Sequence, residues 1–207
     1  MILVDVGNTR AHVWMDGAIE HMSIDAAIRR YHAQRVYYIN VNPHHTDALS
    51  ALASWHDLSD ALHLIGEYDS MGVDRKAACL SRPEGIFVDA GSAITVDRVV
   101  SGVYQGGFIL PGLRTCRRMF ASISPLLDLP LDEEITLDIL PKSTQGSVSF
   151  GVLTAIIAPI EQIRADLPLF ITGGDGPIIA RHCADAQYDA GLVFEGMRAA
   201  LSDLNSV

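Results

Sequence analysis

Hydrophobic and polar positions along the chain fall into two successions of the same kind. Ile2–Val6 is an apolar run interrupted only by Asp5, Ala11–Met15 alternates, and Asp16-Gly17 supplies a strong hairpin turn. Helical spacing covers Ile24–Ala33. Arg35–Val41 reads as a buried strand that Asn42-Pro43 ends, followed by helical spacing over Thr46–Trp55, a short strand at Ala61–Ile65 and a helix over Asp74–Ser81. From Gly85 the hairpin pattern restarts, with strands at Ile86–Asp89, Ala93–Val100 and, after Ser101-Gly102, Val103–Leu110. Helices are predicted over Pro111–Ile123 and Ser147–Arg164, then a strand at Leu169–Ile171, a helix through Ile178–His182 and a last helix over Gly191–Leu204. Hairpins followed by alternating helix and strand, given twice, predict an α/β fold of two similar halves, each a mixed sheet with flanking helices. The halves are read as residues 1–84 and 85–190, with the C-terminal helix 191–207 packing back on the first, and no Pro-, Gly- or Ser-rich linker divides them. Leu127–Gly146 is the least patterned stretch, and its acidic run Asp132-Glu133-Glu134 reads as solvated surface.

The repeat extends to the turns. Val4-Asp5-Val6-Gly7-Asn8-Thr9 and Val88-Asp89-Ala90-Gly91-Ser92-Ala93-Ile94-Thr95 each carry an apolar run, an aspartate, a glycine, small hydroxyl or amide residues, and a second apolar run. Either one alone suits an ordinary turn, because Asp, Gly and Asn are common turn formers. Twice in one chain, the pattern predicts two phosphate loops facing each other across a nucleotide cleft: glycine lets backbone approach a ligand, N–H and hydroxyl groups donate to phosphate oxygens, and the carboxylates hold the accompanying cations. A third glycine turn, Thr172-Gly173-Gly174-Asp175-Gly176, lies between a strand and a helix, an order that suits both a nucleotide and a plain connection.

Composition narrows the classes of function. A chain of 207 residues with 49% hydrophobic content builds a substantial core, and a net charge of −10 with scattered Lys and Arg argues against a nucleic-acid or anionic-membrane surface. The N-terminus lacks a basic start, and the longest apolar stretch, Val152–Ile163, is broken by Pro159 and Glu161, short of the roughly 20 residues a span needs. Cys79, Cys116 and Cys183 are far apart and read as reduced thiols of a cytoplasmic protein. His44-His45, if on a strand, would point to opposite faces, so the eight histidines are read as structural or exposed rather than as metal ligands.

The motifs Asp5-Val-Gly-Asn-Thr9, Gly72-Val-Asp-Arg75, Asp89-Ala-Gly-Ser-Ala-Ile-Thr95, Gly106-Gly-Phe-Ile-Leu-Pro-Gly112 and Thr172-Gly-Gly-Asp-Gly176 stand in the order and rough spacing of type III pantothenate kinases, which the chain resembles from Ile2 to about Ala200. The first and third motifs fit the wider superfamily of acetate and sugar kinases, Hsp70 and actin; the Gly-x-Asp-Arg element separates this family from the rest. The resemblance implies two actin-like (ribonuclease H-like) halves and ATP-dependent phosphorylation of pantothenate, the first step of coenzyme A biosynthesis. It implies Asp74 as the base that takes the pantothenate hydroxyl proton, and a substrate site of Tyr68, Gly72, Val73, Asp74, Arg75 and Thr144. Thr144 resembles the element that reaches a neighbouring subunit's substrate, so a homodimer with the acceptor site near its interface is implied. Asp5, Gly7, Asn8, Thr9, Gly91, Ser92, Gly173, Gly174 and Asp175 become the ATP site. Asp5 lies near magnesium, through water, and Asp89 holds a monovalent cation, K+ or NH4+.

Chemistry supports the match at Arg75, whose planar fork suits the carboxylate in which pantothenate ends and would find no such group on a neutral sugar. The sequence departs from the family pattern in having Ser92 in place of threonine, in lacking the usual proline in Tyr68-Asp69-Ser70-Met71, and in being shorter than most members. Two other functions fit the same motifs: a kinase for another small hydroxy acid or sugar, and a catalytically silent nucleotide-binding regulator. Intact Asp5, Asp74 and Asp89 favour an enzyme over the regulator.

Overall fold

Both central strands are apolar over nearly their whole length, as strands covered on two faces must be. In the computed structural model, which describes residues 1–204, they are β1 (Ile2–Val6) and β6 (Gly85–Ala90). Around β1 lie β2 (Ala11–Met15), β3 (Ala18–Met22), β4 (Val36–Asn40) and β5 (Trp55–Asp57), in the order β3-β2-β1-β4-β5. Around β6 lie β7 (Ala93–Val100), β8 (Val103–Pro111), β9 (Leu169–Thr172) and β10 (Gln187–Tyr188), in the order β10-β9-β6-β7-β8. Counted from its own first strand, each sheet therefore has the order 3-2-1-4-5. In both, the first strand pairs antiparallel with the second and parallel with the fourth. The two aspartates of the repeat occupy the same place, next to last in the central strand.

The chain divides into two compact units. One contains Met1–Pro83, the turn Ser101–Tyr104 and the described part of Ala190–Val207; the other contains Glu84–Val100 and Gln105–Asp189. Residues 205–207, the end of the expected C-terminal helix, lie outside the described residues.

In the first unit α1 (Ile24–Tyr31) starts at Ser23, whose hydroxyl accepts from the Ala26 N–H, and it packs Ile24, Ala27 and Tyr31 with Val4, Val6, Val13 and Val36. The expected Thr46–Trp55 helix stops at Ser50 as α2 (Thr46–Ser50), where the Ser50 hydroxyl donates back to the Thr46 carbonyl. Trp55 instead opens β5, opposite Val36, with its indole N–H on the Tyr31 carbonyl. The expected strand Ala61–Ile65 does not form. Leu62 and Leu64 are buried and His63 and Ile65 exposed, but the segment has no ladder partner beyond an isolated Ile65–Val103 bridge. His44 and His45 lie in a single helical turn, Pro43–His45, rather than on a strand. Against these strands α7 (Leu192–Leu204) crosses α3 (Val73–Leu80) closely and also touches β1.

In the second unit α4 (Leu113–Ile123), α5 (Thr144–Arg164) and α6 (Gly176–Arg181) cover the sheet. The core joins Ile86, Val88, Ile94 and Val96 of the strands to Val152, Leu153, Ile156 and Ile160 of α5. Pro159 does not break this helix, which runs for 21 residues, holds an 18-residue window with a mean hydropathy of 1.4 and so is long and apolar enough to cross a membrane. That corrects the shorter stretch read from sequence; the side chains of α5 just named are spent on the core of its own unit.

Candidate active site

The first phosphate-type loop follows β1. Asp5 is half-buried, in register with His12 of β2 and Ile39 of β4. The Gly7 N–H donates to the Arg10 carbonyl at 3.0 Å, which closes the turn and leaves Asn8 and Thr9 exposed. Asn42, buried just past the end of β4, holds this loop: its side-chain amide donates to the Asn8 carbonyl at 3.1 Å, while its own N–H is taken by Asn40 Oδ1 at 2.9 Å. Sequence reading saw Asn42 only as the end of a strand. The available signal was an Asn-Pro placed where the parallel neighbour of β1 ends. On the far side of β2, His12 Nδ1 meets His21 Nδ1 at 2.6 Å, and burial, then the neighbouring His21 and Arg10, push the His12 imidazole down to about 4.

The Gly-x-Asp-Arg element opens α3. Gly72 is the N-cap, and a Cβ there would stand 2.6 Å from Asp74 Oδ1. The absence of a side chain lets the Asp74 carboxylate fold back over the helix start, where Oδ1 accepts the Arg75 N–H at 2.8 Å. A negative charge in a first helical turn is favoured by the unpaired N–H groups there. Val73 is the first helical residue and only half-buried. Arg75, only 7% exposed, sends Nη1 to the Tyr68 hydroxyl at 2.6 Å and Nη2 to the Tyr104 hydroxyl at 3.3 Å. One helical position on, Lys76 pairs with Glu67 at 2.8 Å. Burial alone would raise the Glu67 carboxyl, but hydrogen bonds from Lys76 and the Leu64 N–H, with the lysine charge, hold it below the usual range. Tyr104 was missed by sequence reading, since no spacing rule ties a strand residue to a helix residue so far back in the chain.

In the second unit two glycine turns lie together at the carboxyl ends of the adjacent parallel strands β6 and β9, where ligands of open α/β sheets bind. Gly173 has φ +86°, and a Cβ on it would meet the Ala90 carbonyl and Asp89 Oδ1, each at 2.5 Å. The Asp175 N–H donates to that same Ala90 carbonyl at 2.9 Å. Gly91 and Ser92 form the β6–β7 turn, and Gly112, the N-cap of α4, donates to the Ser92 carbonyl; a Cβ at 112 would fall 2.2 Å from the Gly91 carbonyl. Burial, with Glu133 nearby, raises the Asp175 carboxyl above its ordinary range, and Arg114 opposes the shift. Gly174 is exposed, and α6, which follows, has only six residues.

The structure thus gathers Tyr68, Gly72, Val73, Asp74 and Arg75 into one cluster, Asp5, Gly7, Asn8 and Thr9 into a second, and Asp89, Gly91, Ser92, Gly173, Gly174 and Asp175 into a third. Thr144, exposed at the first position of α5 after the cap Ser143, belongs to none of these clusters. Among the described residues no group of three or more His, Cys, Asp or Glu side chains is placed to hold a metal ion. What the loops offer is hard oxygen in ones and twos, the donor type that Mg2+ and alkali cations take when phosphates and water complete the shell.

Comparison with solved structures bears on the fold first. A Sinorhizobium meliloti protein provisionally named a 2-dehydro-3-deoxygalactonokinase superposes with a TM-score of 0.56 over 98% of this chain and 97% of its own, at 11% identity, and shows the shared actin-like architecture alone. A conserved Campylobacter jejuni protein, provisionally named a Baf family transcriptional activator, superposes with a TM-score of 0.91 over 100% of both chains at 32% identity. The type III pantothenate kinase of Helicobacter hepaticus is 40% identical over 97% of this chain and 98% of its own. The model of the type III pantothenate kinase family matches residues 59–166, which run through the Gly-x-Asp-Arg element, the β6–β7 turn and the whole of α5, and with that relative it places this chain in the type III pantothenate kinase family.

Proposed function

We propose that the chain is the kinase its family is named for, transferring the γ-phosphoryl group of ATP to the hydroxyl of pantothenate on the way to coenzyme A. The observation that carries the reading is the pairing on one helical turn of a carboxylate held over the helix start, Asp74, with a buried guanidinium, Arg75. A base for the acceptor hydroxyl and a fork for the acceptor carboxylate are what this substrate asks for, and a neutral sugar would use only the first. In this reading Asp74 accepts the hydroxyl proton as the oxygen attacks the γ-phosphorus. Arg75 and Tyr68 hold the other end of the molecule, with Gly72 and Val73 as backbone wall and Thr144 supplied from a neighbouring subunit of a homodimer.

On the nucleotide side, Asn8, Thr9, Gly7, Gly91 and Ser92 cradle phosphates, and Gly173, Gly174 and Asp175 flank the adenosine. Asp5 would hold Mg2+ through water and Asp89 a monovalent cation, K+ or NH4+; bound there, the cations supply charge that offsets the transferring group. The close approach of Gly173 to the Ala90 carbonyl and to Asp89 Oδ1 brings the third glycine turn against the end of β6 that carries the Asp89 carboxylate. The kinase is read as cytoplasmic.

The test is coupled ATP consumption with and without pantothenate, in potassium, sodium and Tris buffers. Turnover that needs both pantothenate and a small monovalent cation supports the assignment. Turnover with pantothenate in Tris alone removes the Asp89 cation role. Nucleotide binding with no turnover on pantothenate, other hydroxy acids or sugars returns the protein to the regulator reading, the function that the Campylobacter relative's provisional name suggests for that protein.

A further inference from the structure

The Arg75 guanidinium reaches two phenols. Both phenols that receive its guanidinium come from outside α3, and they differ in how firmly they are themselves fixed. Tyr68 is 42% exposed and sits in the irregular segment before the helix. Tyr104 is 8% exposed at the second position of β8, its N–H donates to the Ile65 carbonyl at 2.8 Å, and Val103 bridges Ile65. Gly66 adds to this seam: it has φ +84°, and any side chain there would strike the Tyr104 carbonyl at 2.9 Å. One wall of the guanidinium site is thus anchored by backbone on both sides, whereas the other stands open to solvent.

We propose that Tyr104 is a positioning residue for the acceptor carboxylate: its hydroxyl, fixed by the Ile65–Tyr104 seam, sets the plane and direction of the Arg75 fork. This rests on the reading that Arg75 takes the pantothenate carboxylate. A guanidinium on a long flexible stem loses much rotamer freedom when it binds, and a partner that orients it beforehand reduces that loss at the moment of binding. A phenol suits the task because it accepts an N–H without itself cancelling the positive charge that the substrate must meet. Tyr68, ring centroid 6.2 Å from that of Tyr104 and itself under the Arg75 guanidinium, then acts as the movable side of the clasp.

The experiment is steady-state kinetics of Tyr104→Phe, which keeps the ring and removes the hydroxyl, alone and combined with Arg75→Lys. The expected result is a rise of roughly ten- to hundredfold in the KM for pantothenate, the range for one hydrogen bond to a charged group, with the KM for ATP moving less than twofold. In the Arg75→Lys background the same change should have less than a third of its effect, because the fork it orients is gone. Equal losses on both substrates, or an undiminished effect of Tyr104→Phe on top of Arg75→Lys, would overturn the proposal. So would a Tyr104→Phe protein with unchanged kinetics while Arg75→Lys is impaired on pantothenate, which leaves the carboxylate reading standing. If Arg75→Lys alone spares pantothenate use, the carboxylate reading itself falls and Tyr104 loses its assigned role with it.

Discussion

A Cβ placed on Gly196 of α7 would lie 1.7 Å from the carbonyl oxygen of Ala77 of α3. No side chain stands in that gap to rotate away; the obstacle is backbone, so the two helices touch main chain to main chain. The contact bears on the proposed acceptor site because α3 carries Asp74 and Arg75 at its start, and α7 is packed against it. Arg82 just past α3 and Glu195 of α7 add an ion pair beside it.

Gly196→Ala is therefore expected to force the helices apart. Overpacking of this kind costs about 1–3 kcal/mol, or roughly 2–12 °C in Tm for a chain of this size. Gly151→Ala in α5 is the matched control: nothing lies within 4 Å of its Cβ, and alanine there should leave stability unchanged or raise it by up to about 1 kcal/mol. Thermal unfolding followed by circular dichroism reads both. A Gly196→Ala protein as stable as wild type would mean that the close crossing is not maintained in solution.

Asp74→Asn should abolish most turnover and spare nucleotide binding. A general base contributes about a hundredfold to ten-thousandfold, while asparagine keeps an oxygen that can still accept the Arg75 N–H, so the helix start survives. Measurement of kcat alongside ATP affinity decides the matter, and a variant with more than half of wild-type turnover rules Asp74 out as the base.

Much of this arrangement was legible in the chain. The duplicated Asp-x-Gly pattern announced two equivalent central strands, and Asp5 and Asp89 do stand at the same place in two sheets of the same strand order. Gly72-Val-Asp-Arg75 was legible because its parts act locally, within one helical turn. What escaped was decided by partners far along the chain. Ala61–Ile65 alternates like a strand but finds no ladder, and Trp55 leaves a helical pattern because Val36 and Tyr31 offer it a buried edge. Tyr104 and Asn42 support the site from other elements, and only the folded backbone reveals which loop each one holds.

Stability should fall on mild acidification through His12. Its folded pKa is about 4 against an ordinary imidazole value of 6.5, so between those values the unfolded chain takes up a proton that the folded chain refuses. Unfolding free energy then declines as pH drops through that window, by at most about 1.4 kcal/mol per pH unit for one group. Urea midpoints from about pH 7 to about pH 5, a range chosen to lie above most carboxylate titrations, should fall less for His12→Gln than for wild type, in protein free of nucleotide and metal. Parallel curves for the two proteins would place the acid sensitivity elsewhere.

Arg75→Lys should damage pantothenate use far more than ATP use. Lysine keeps the charge but loses the planar fork that meets both oxygens of a carboxylate and that serves the Tyr68 and Tyr104 hydroxyls from separate nitrogens, Nη1 and Nη2. Loss of one charge-assisted hydrogen bond costs roughly 1.5 to 3 kcal/mol, or about a tenfold to hundredfold rise in the KM for pantothenate. Pantothenol, whose hydroxymethyl group replaces the carboxylate, separates this cause from general damage to the helix start. It should already be a poor substrate for the wild type, and the substitution should weaken its use only slightly, because the group that the fork recognises is missing from the start. Misplacement of Asp74 would instead lower kcat on both acceptors together. If Arg75→Lys lost equal ground on pantothenate and pantothenol, the guanidinium–carboxylate contact would be wrong, and the choice of pantothenate over a neutral acceptor would lose its main physical support.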